Sequence, residues 1–244
     1  MTKILYYIYQ ILIAPLLAAV TIITAIEVII GCTVGKASFW SYWPGCIWSK
    51  VMVRLLLLPV KIEGRENMVD GESYVIVANH QGAFDIFLIY GYLGRNFKWM
   101  MKQSLRNMPL VGKACEKAGH IFVNNSGPKK IQQTYERARA ILQNGTSVVV
   151  FPEGARTWDG KMRGFKRGAF QLADELQLPI LPMTINGAFQ VLPRSRGFNF
   201  VSWHPLKLTI HPAMPPRPHT ATSEHEAMDE AKAIIASKLE PIQQ

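Results

Sequence analysis

Residues 4 to 26 carry no charged side chain, and as a helix such a stretch is long enough to cross about 30 Å of hydrocarbon. An apolar run of that length fits a bilayer, the middle of a large core, or a cleaved leader. A leader has a shorter apolar segment followed by small residues at a cut site; Ala18 and Ala19 keep that reading open. Residues 38 to 59 are also apolar and aromatic, with Trp40, Tyr42, Trp43 and Trp48, yet they contain Lys50 and Arg54. That mixture suits a helix at a membrane interface, where aromatic rings settle and basic side chains reach water. Gly31, Gly35 and Lys36 separate the two segments. Residues 1–60 are therefore expected to form a membrane-anchoring helical hairpin, or an anchor plus an interfacial helix. A hairpin buried in a soluble core is the alternative.

The remaining residues, 61–244, are enough for one globular unit with a full core and too few for two. Against 17 acidic residues the chain has 27 Lys and Arg, a net charge of +10. Such an excess favours anionic partners, and beside an apolar anchor the first candidate is anionic lipid. Nucleic acid is not expected, because no zinc-finger spacing, RNA-binding aromatic signature or basic-region heptad occurs. Lys3, Lys36, Lys50 and Arg54 flank or interrupt the apolar segments, which favours the cytoplasmic side of the cell membrane. Cys32, Cys46 and Cys115 are odd in number and two lie in the anchor region, so no disulfide framework is expected.

After Pro59, short apolar runs alternate with helical patterns. Strands are expected over residues 74–78, 120–123, 147–151, 180–185 and 206–210. Helices are expected over about 83–93, starting near Asp85, and over 168–176. Between residues 123 and 147, Ser126 can cap a helix with Pro128 in its first turn, an apolar face of Ile131, Tyr135, Ala138 and Leu142, and Gly145 past its end. A last helix has the capping-box spacing Ser223 to Glu226 and an apolar face of Met228, Ala231, Ile235 and Leu239. The Pro-rich stretch 211–219 reads as the connector before it. This alternation predicts an α/β fold, a mixed sheet flanked by helices.

His80 falls at the end of the run YVIVA, and Asp85 follows in the first turn of the next helix. The C-terminal end of a strand faces the crevice where open α/β sheets bind ligands. From the helix a carboxylate can reach back to Nδ1, fix the tautomer, leave Nε2 as the proton acceptor and stabilise the imidazolium. No G-x-S-x-G elbow supplies a nucleophile. A base without its own nucleophile suggests that a substrate hydroxyl attacks. A structural His–Asp pair is the alternative. A metal site is weaker, since no second His or Cys cluster lies at ligand spacing.

Two more strand ends carry sequence of the same kind, FPEGART at 151–157 and LPMTINGA at 181–188. With NHQGAFD at 79–85 and GHIFVNN at 119–125, these four blocks stand in the order found in the 1-acyl-glycerol-3-phosphate acyltransferases of phospholipid synthesis, which the chain resembles. The resemblance implies that residues 61–244 form an acyltransferase catalytic domain. It implies that His80 deprotonates the sn-2 hydroxyl of lysophosphatidic acid, which attacks an acyl-CoA or acyl-carrier-protein thioester, with Asp85 orienting the base; the product is phosphatidic acid. By the same resemblance Glu153, Gly154 and Arg156 help bind the acceptor phosphate and shape its site. A guanidinium suits such a bidentate contact, and N–H groups in a Gly turn can cradle anions. Lys161, Arg163, Lys166 and Arg167 follow at once; they would hold donor phosphates or a carrier's acidic face, or form a solvated basic loop. No cofactor is implied beyond the acyl donor.

The chain departs from the family pattern at Asn124 and Asn125, where the family usually has an acidic residue and then an arginine that contacts the acceptor phosphate. That leaves another lysolipid, such as a lyso-aminolipid, as an alternative acceptor. A non-catalytic lipid-binding protein and a lipid hydrolase using water are the readings from other classes.

Overall fold

The computed structural model describes residues 2–124, 127–142, 145–218 and 222–242. Three helices lead the chain: α1 (Lys3–Val34), the single turn α2 (Ala37–Trp40) and α3 (Trp43–Leu55). The strands are β1 (Val60–Glu63), β2 (Val75–Ala78), β3 (Phe97–Lys102), β4 (Ile121–Val123), β5 (Ser147–Val150), β6 (Ile180–Asn186) and β7 (Leu206–Ile210). Between and after them run α4 (Phe84–Tyr92), α5 (Val111–Lys117), α6 (Pro128–Ile141), α7 (Gly168–Leu176), α8 (Ala188–Val191) and α9 (Ser223–Ser237). The strands make one seven-stranded sheet in the order β1-β7-β6-β2-β5-β3-β4. Every pairing is parallel except β6 with β7. The mixed sheet flanked by helices agrees with the expectation.

The continuous apolar character of β2 follows from burial on both sheet faces. Tyr74, Ile76 and Ala78 enter one core with Leu88, Leu181 and Leu208. Val75 and Val77 point the other way, into a second core with Phe170 and Leu172 of α7 and Ala231 and Ile235 of α9. Because β2, β5 and β6 are parallel neighbours, with Val77 opposite Val150 and Ala78 opposite Met183, their C-terminal ends lie along one sheet edge. Three sequence blocks far apart in the chain therefore meet at that edge.

The second expected apolar helix is broken at Ser41 and Tyr42 into α2 and α3. Cys46, Ser49 and Val53 of α3 are buried, and Tyr42, Cys46, Val53, Leu56 and Leu58 share the core of β2 and β7. α1 docks by one stripe. Tyr6 Oη donates to Leu56 O at 2.6 Å, Gln10 exchanges two hydrogen bonds with the Val201 main chain at 2.8 and 2.9 Å, and Trp48 Nε1 donates to Thr21 Oγ1 at 3.0 Å. Its other side leaves Ile4, Ile8, Leu12, Ile22, Ile26 and Ile30 bare.

One end signal resolves differently from the sequence reading. Ser223 does not cap α9: Thr222 holds the cap position, and its hydroxyl bonds to Glu226 Oε1 at 2.8 Å, while Ser223 is buried. The capping box fails because burial takes the Ser223 side chain into the packing of α9 on α7. The expected cap Ser126 lies outside the described residues. Strands β1 and β3 and helix α5 had no assignment from sequence.

Candidate active site

The site grows from the point where β2 ends. Asn79 is buried, and its carboxamide exchanges two hydrogen bonds with the Ile185 main chain, at 2.9 and 2.8 Å. A side chain thus stands in for the next rung between β2 and β6, so the backbone can turn away without leaving sheet polar groups unpaired. His80 comes immediately after this turn. Gly82 sits so close to α8 that an added Cβ would meet Ala188 O at 2.2 Å, which explains the need for glycine beside the histidine.

Asp85, fully buried in the first turn of α4, fixes His80. Its Oδ2 lies 2.7 Å from His80 Nδ1 and accepts the N–H groups of Gln81 at 2.7 Å and Gly82 at 3.0 Å. A carboxylate that accepts two main-chain N–H groups at the start of a helix is fixed in direction. Nδ1 is the ring nitrogen turned to Asp85, and Nε2 lies on the far side of the ring. The imidazole stacks on Phe151 with centroids 3.9 Å apart and planes at 7°, and Phe151 stacks in turn on Trp99. Among the described residues nothing hydrogen-bonds to Nε2, and no serine, threonine or cysteine hydrogen-bonds to the ring.

The end of β5 closes the site. Glu153 is buried, and its two carboxylate oxygens accept main-chain N–H groups, Oε1 from His80 at 2.7 Å and Oε2 from Arg163 at 2.8 Å. Burial pushes its acidity down, raising the pKa above the usual carboxylate range, while the two N–H donors work in the opposite sense. Glu153 thereby ties the histidine turn to the basic loop that follows. Gly154 has φ +75°, a left-handed conformation natural to glycine. Lys166 covers it: a Cβ at Gly154 would meet Lys166 Nζ at 2.8 Å.

Thr157 N–H donates to His80 O at 3.0 Å, and Gln81 Nε2 donates to Gly160 O at 3.2 Å. These two contacts bring the FPEGART loop alongside the histidine turn. Arg156, immediately before Thr157, is half-buried; its carbonyl accepts from Arg194 Nη1 at 3.0 Å, and its guanidinium has no partner among the described residues. Lys161, Arg163, Lys166 and Arg167 are exposed on the returning loop. His80, Asp85, Glu153, Gly154, Arg156 and Lys166 thus belong to one cluster of turns. Asn125 lies outside the described residues.

Sequence reasoning missed Asn79, Phe151, Thr157 and Arg194. The first three lie inside the quoted blocks, so their location was visible, but their partners are tens of residues away. Arg194 carried no signal of its own.

Known proteins match this arrangement. A family profile described as Acyltransferase matches residues 59–186, a span that begins before β1 and ends with β6. A 1-acyl-sn-glycerol-3-phosphate acyltransferase of Chlamydomonas reinhardtii is 33% identical over 183 residues, covering 75% of this chain and 53% of that protein. A chloroplastic protein of the same description from Arabidopsis thaliana is 30% identical over 196 residues, 80% of this chain and 52% of its own. The chain spans about half the length of these curated relatives. The crystal structure of the 1-acyl-sn-glycerophosphate acyltransferase PlsC from Thermotoga maritima shares the fold, with TM-score 0.77 at 24% identity over 96% of this chain and 93% of that one. Since the profile covers more than half of the chain and runs through both the histidine and the FPEGAR turns, this protein belongs to the acyltransferase family.

Proposed function

We propose that the protein is a membrane-bound O-acyltransferase that moves a fatty acyl group from acyl-CoA or acyl-carrier protein to the sn-2 hydroxyl of 1-acyl-glycerol-3-phosphate, giving phosphatidic acid. The observation that carries this reading is a histidine oriented by a buried aspartate, with Nε2 unengaged and no serine, threonine or cysteine hydrogen-bonded to the ring among the described residues. In this mechanism Nε2 takes the proton of the acceptor hydroxyl as its oxygen attacks the thioester carbon. Collapse of the tetrahedral adduct expels the thiolate, which takes that proton back from the imidazolium. Asp85 supplies the opposing charge while the imidazolium exists. Arg156, with its uncommitted guanidinium next to the histidine turn, binds the acceptor phosphate. Glu153 and Gly154 shape that turn, and Lys166 with the exposed cations around it meets the donor's phosphates or a carrier's acidic face.

The same reading makes residues 1–60 the anchoring segment and 61–244 the acyl-transfer unit, joined through the core that α3 shares with the sheet. α1 is the one helix among the described residues long and apolar enough to cross a membrane. It is about 48 Å long at 1.5 Å per residue and docks on the domain by side chains from Tyr6 to Val28. We therefore place α1 along the cytoplasmic face of the membrane with its bare side in the lipid. The acceptor then arrives laterally and the thioester from water.

The test is acyl transfer by the full-length protein in vesicles, with lysophosphatidic acid, a lyso-aminolipid and a water-only control as acceptors. Release of free fatty acid without acylated lipid would mean a hydrolase. A stronger rate with the lyso-aminolipid would favour the second acceptor, for which the Asn124–Asn125 departure speaks. Arg156→Ala should raise the KM for the phosphate-bearing acceptor far more than that for the donor; the reverse would assign Arg156 to the donor side.

A further inference from the structure

We propose that the loop of residues 192–205 is a second membrane-inserted element, a wedge of aromatic side chains that enters the lipid beside α1 and links the bilayer to the histidine turn. The inference rests on the reading of α1's bare face as lipid-facing and goes beyond it, because this loop lies in the other half of the sequence and is no part of the anchor.

The loop has no helix or strand of its own and exposes Phe198 by 83% and Trp203 by 55%. Single exposed apolar residues are ordinary on soluble proteins, whereas a contiguous patch marks an interaction surface. Here the patch is contiguous. Phe198 packs edge-on against Phe200 at 5.1 Å, and Phe200 stacks on Tyr7 of α1 at 4.7 Å. At helical spacing Tyr7 neighbours Ile4 and Ile11, both exposed. The loop is also held in place. Val201 exchanges two hydrogen bonds with Gln10, Ser202 N–H donates to Val191 O at 2.9 Å, and Trp203 Nε1 donates to Leu57 O at 2.8 Å. A water-facing loop does not need its rings fixed in line with an apolar helix face; an interfacial one does.

The charges agree with a lipid surface. Arg194 and Arg196 lie on the loop, and exposed Arg54 ends the neighbouring helix α3. Cations around an apolar wedge suit an anionic bilayer. At its other end the loop reaches the site: Pro193 forms a β-bridge with Gly82, and Arg194 bonds to the Arg156 carbonyl. Insertion of the wedge would thus set the histidine turn at a fixed height above the lipid, where an acceptor headgroup lies.

Phe198→Trp in the full-length protein, reconstituted in phosphatidylcholine–phosphatidylglycerol vesicles, tests this without reference to turnover. The fluorescence of the added indole is taken as the difference from wild type. It should be quenched at least about twofold more by bromines on the acyl chains than by aqueous iodide. Trp203→Phe should lower the bromine-quenched share of the wild-type signal. A protein that floats with the vesicles but leaves position 198 open to iodide overturns this proposal alone. One that does not float overturns it together with the placement of α1.

Discussion

His80 and His120 show what a strand's direction does to the same side chain. Each flanks an apolar run. His80 follows β2, at the C-terminal edge of the parallel strands, where Asp85 and the Glu153 turn converge on it. His120 precedes β4, at the opposite edge, where it is buried, accepts Trp99 N–H on Nδ1 at 3.2 Å and packs edge-on against Tyr90. Burial first and the nearby Lys98 second push its pKa down to about 3. One histidine stands at the crevice beside a buried carboxylate; the other is a core group.

The sharpest way to break the comparison is to truncate both. His80→Ala should lower turnover by about 10²–10⁴ with an unchanged unfolding transition, since the imidazole lies at the crevice. A folded variant with near-normal turnover would remove the base from the mechanism. Asp85→Asn should come next, with turnover down about 10²-fold or more, because a neutral amide cannot offset the charge of an imidazolium.

His120→Ala should do the reverse. It empties a core position and strands the Trp99 N–H, at a cost of about 2–4 kcal/mol of stability, read as a lower denaturant midpoint. Turnover per folded molecule should stay within about twofold; a loss as deep as that of His80→Ala would make His120 part of the chemistry.

The same contrast gives a pH signature. His120 has a depressed pKa in the folded state, so between its ordinary 6.5 and about 3 the unfolded chain binds a proton that the fold excludes. Its contribution to stability is therefore present above pH 6.5 and is lost as pH falls toward 3. His120→Gln should flatten that limb of the stability curve. An unchanged limb would mean that the imidazole is not held neutral.

Glu153→Gln carries the smallest expected effect. One amide oxygen replaces two carboxylate acceptors, so either His80 N–H or Arg163 N–H faces an NH₂ group. Turnover should fall by about tenfold, consistent with one charged hydrogen bond, while the acceptor KM changes little. A change confined to the acceptor KM would instead put Glu153 in contact with substrate.

How much of this was visible in the chain depends on the range of each interaction. β2, β5, β6 and β7 were legible because strands buried on both faces or nearly so are written as apolar runs. β1 was not, as an edge strand that exposes Lys61 and half-exposes its other residues. In β3 buried Phe97 and Trp99 alternate with Lys98 for only three residues before Met100 and Met101, and Lys98 reaches Ser41 and the Ala118 carbonyl, its pKa pushed down to about 8 by burial.

By itself the sequence determined the pairing of His80 with Asp85, because five residues across one strand-to-helix turn bring the two together by local geometry. It also determined the apolar character of α1, which no fold can hide without a partner on every side. The tertiary structure decided what needs the sheet. It brought Glu153 under the His80 N–H, laid Phe151 on the imidazole, buried α3 among the strands, and set the ring of Phe200 against α1. Each of these joins residues far apart in the chain, and such contacts exist only after strand order and direction have placed the ends of β2, β5 and β6 on one edge.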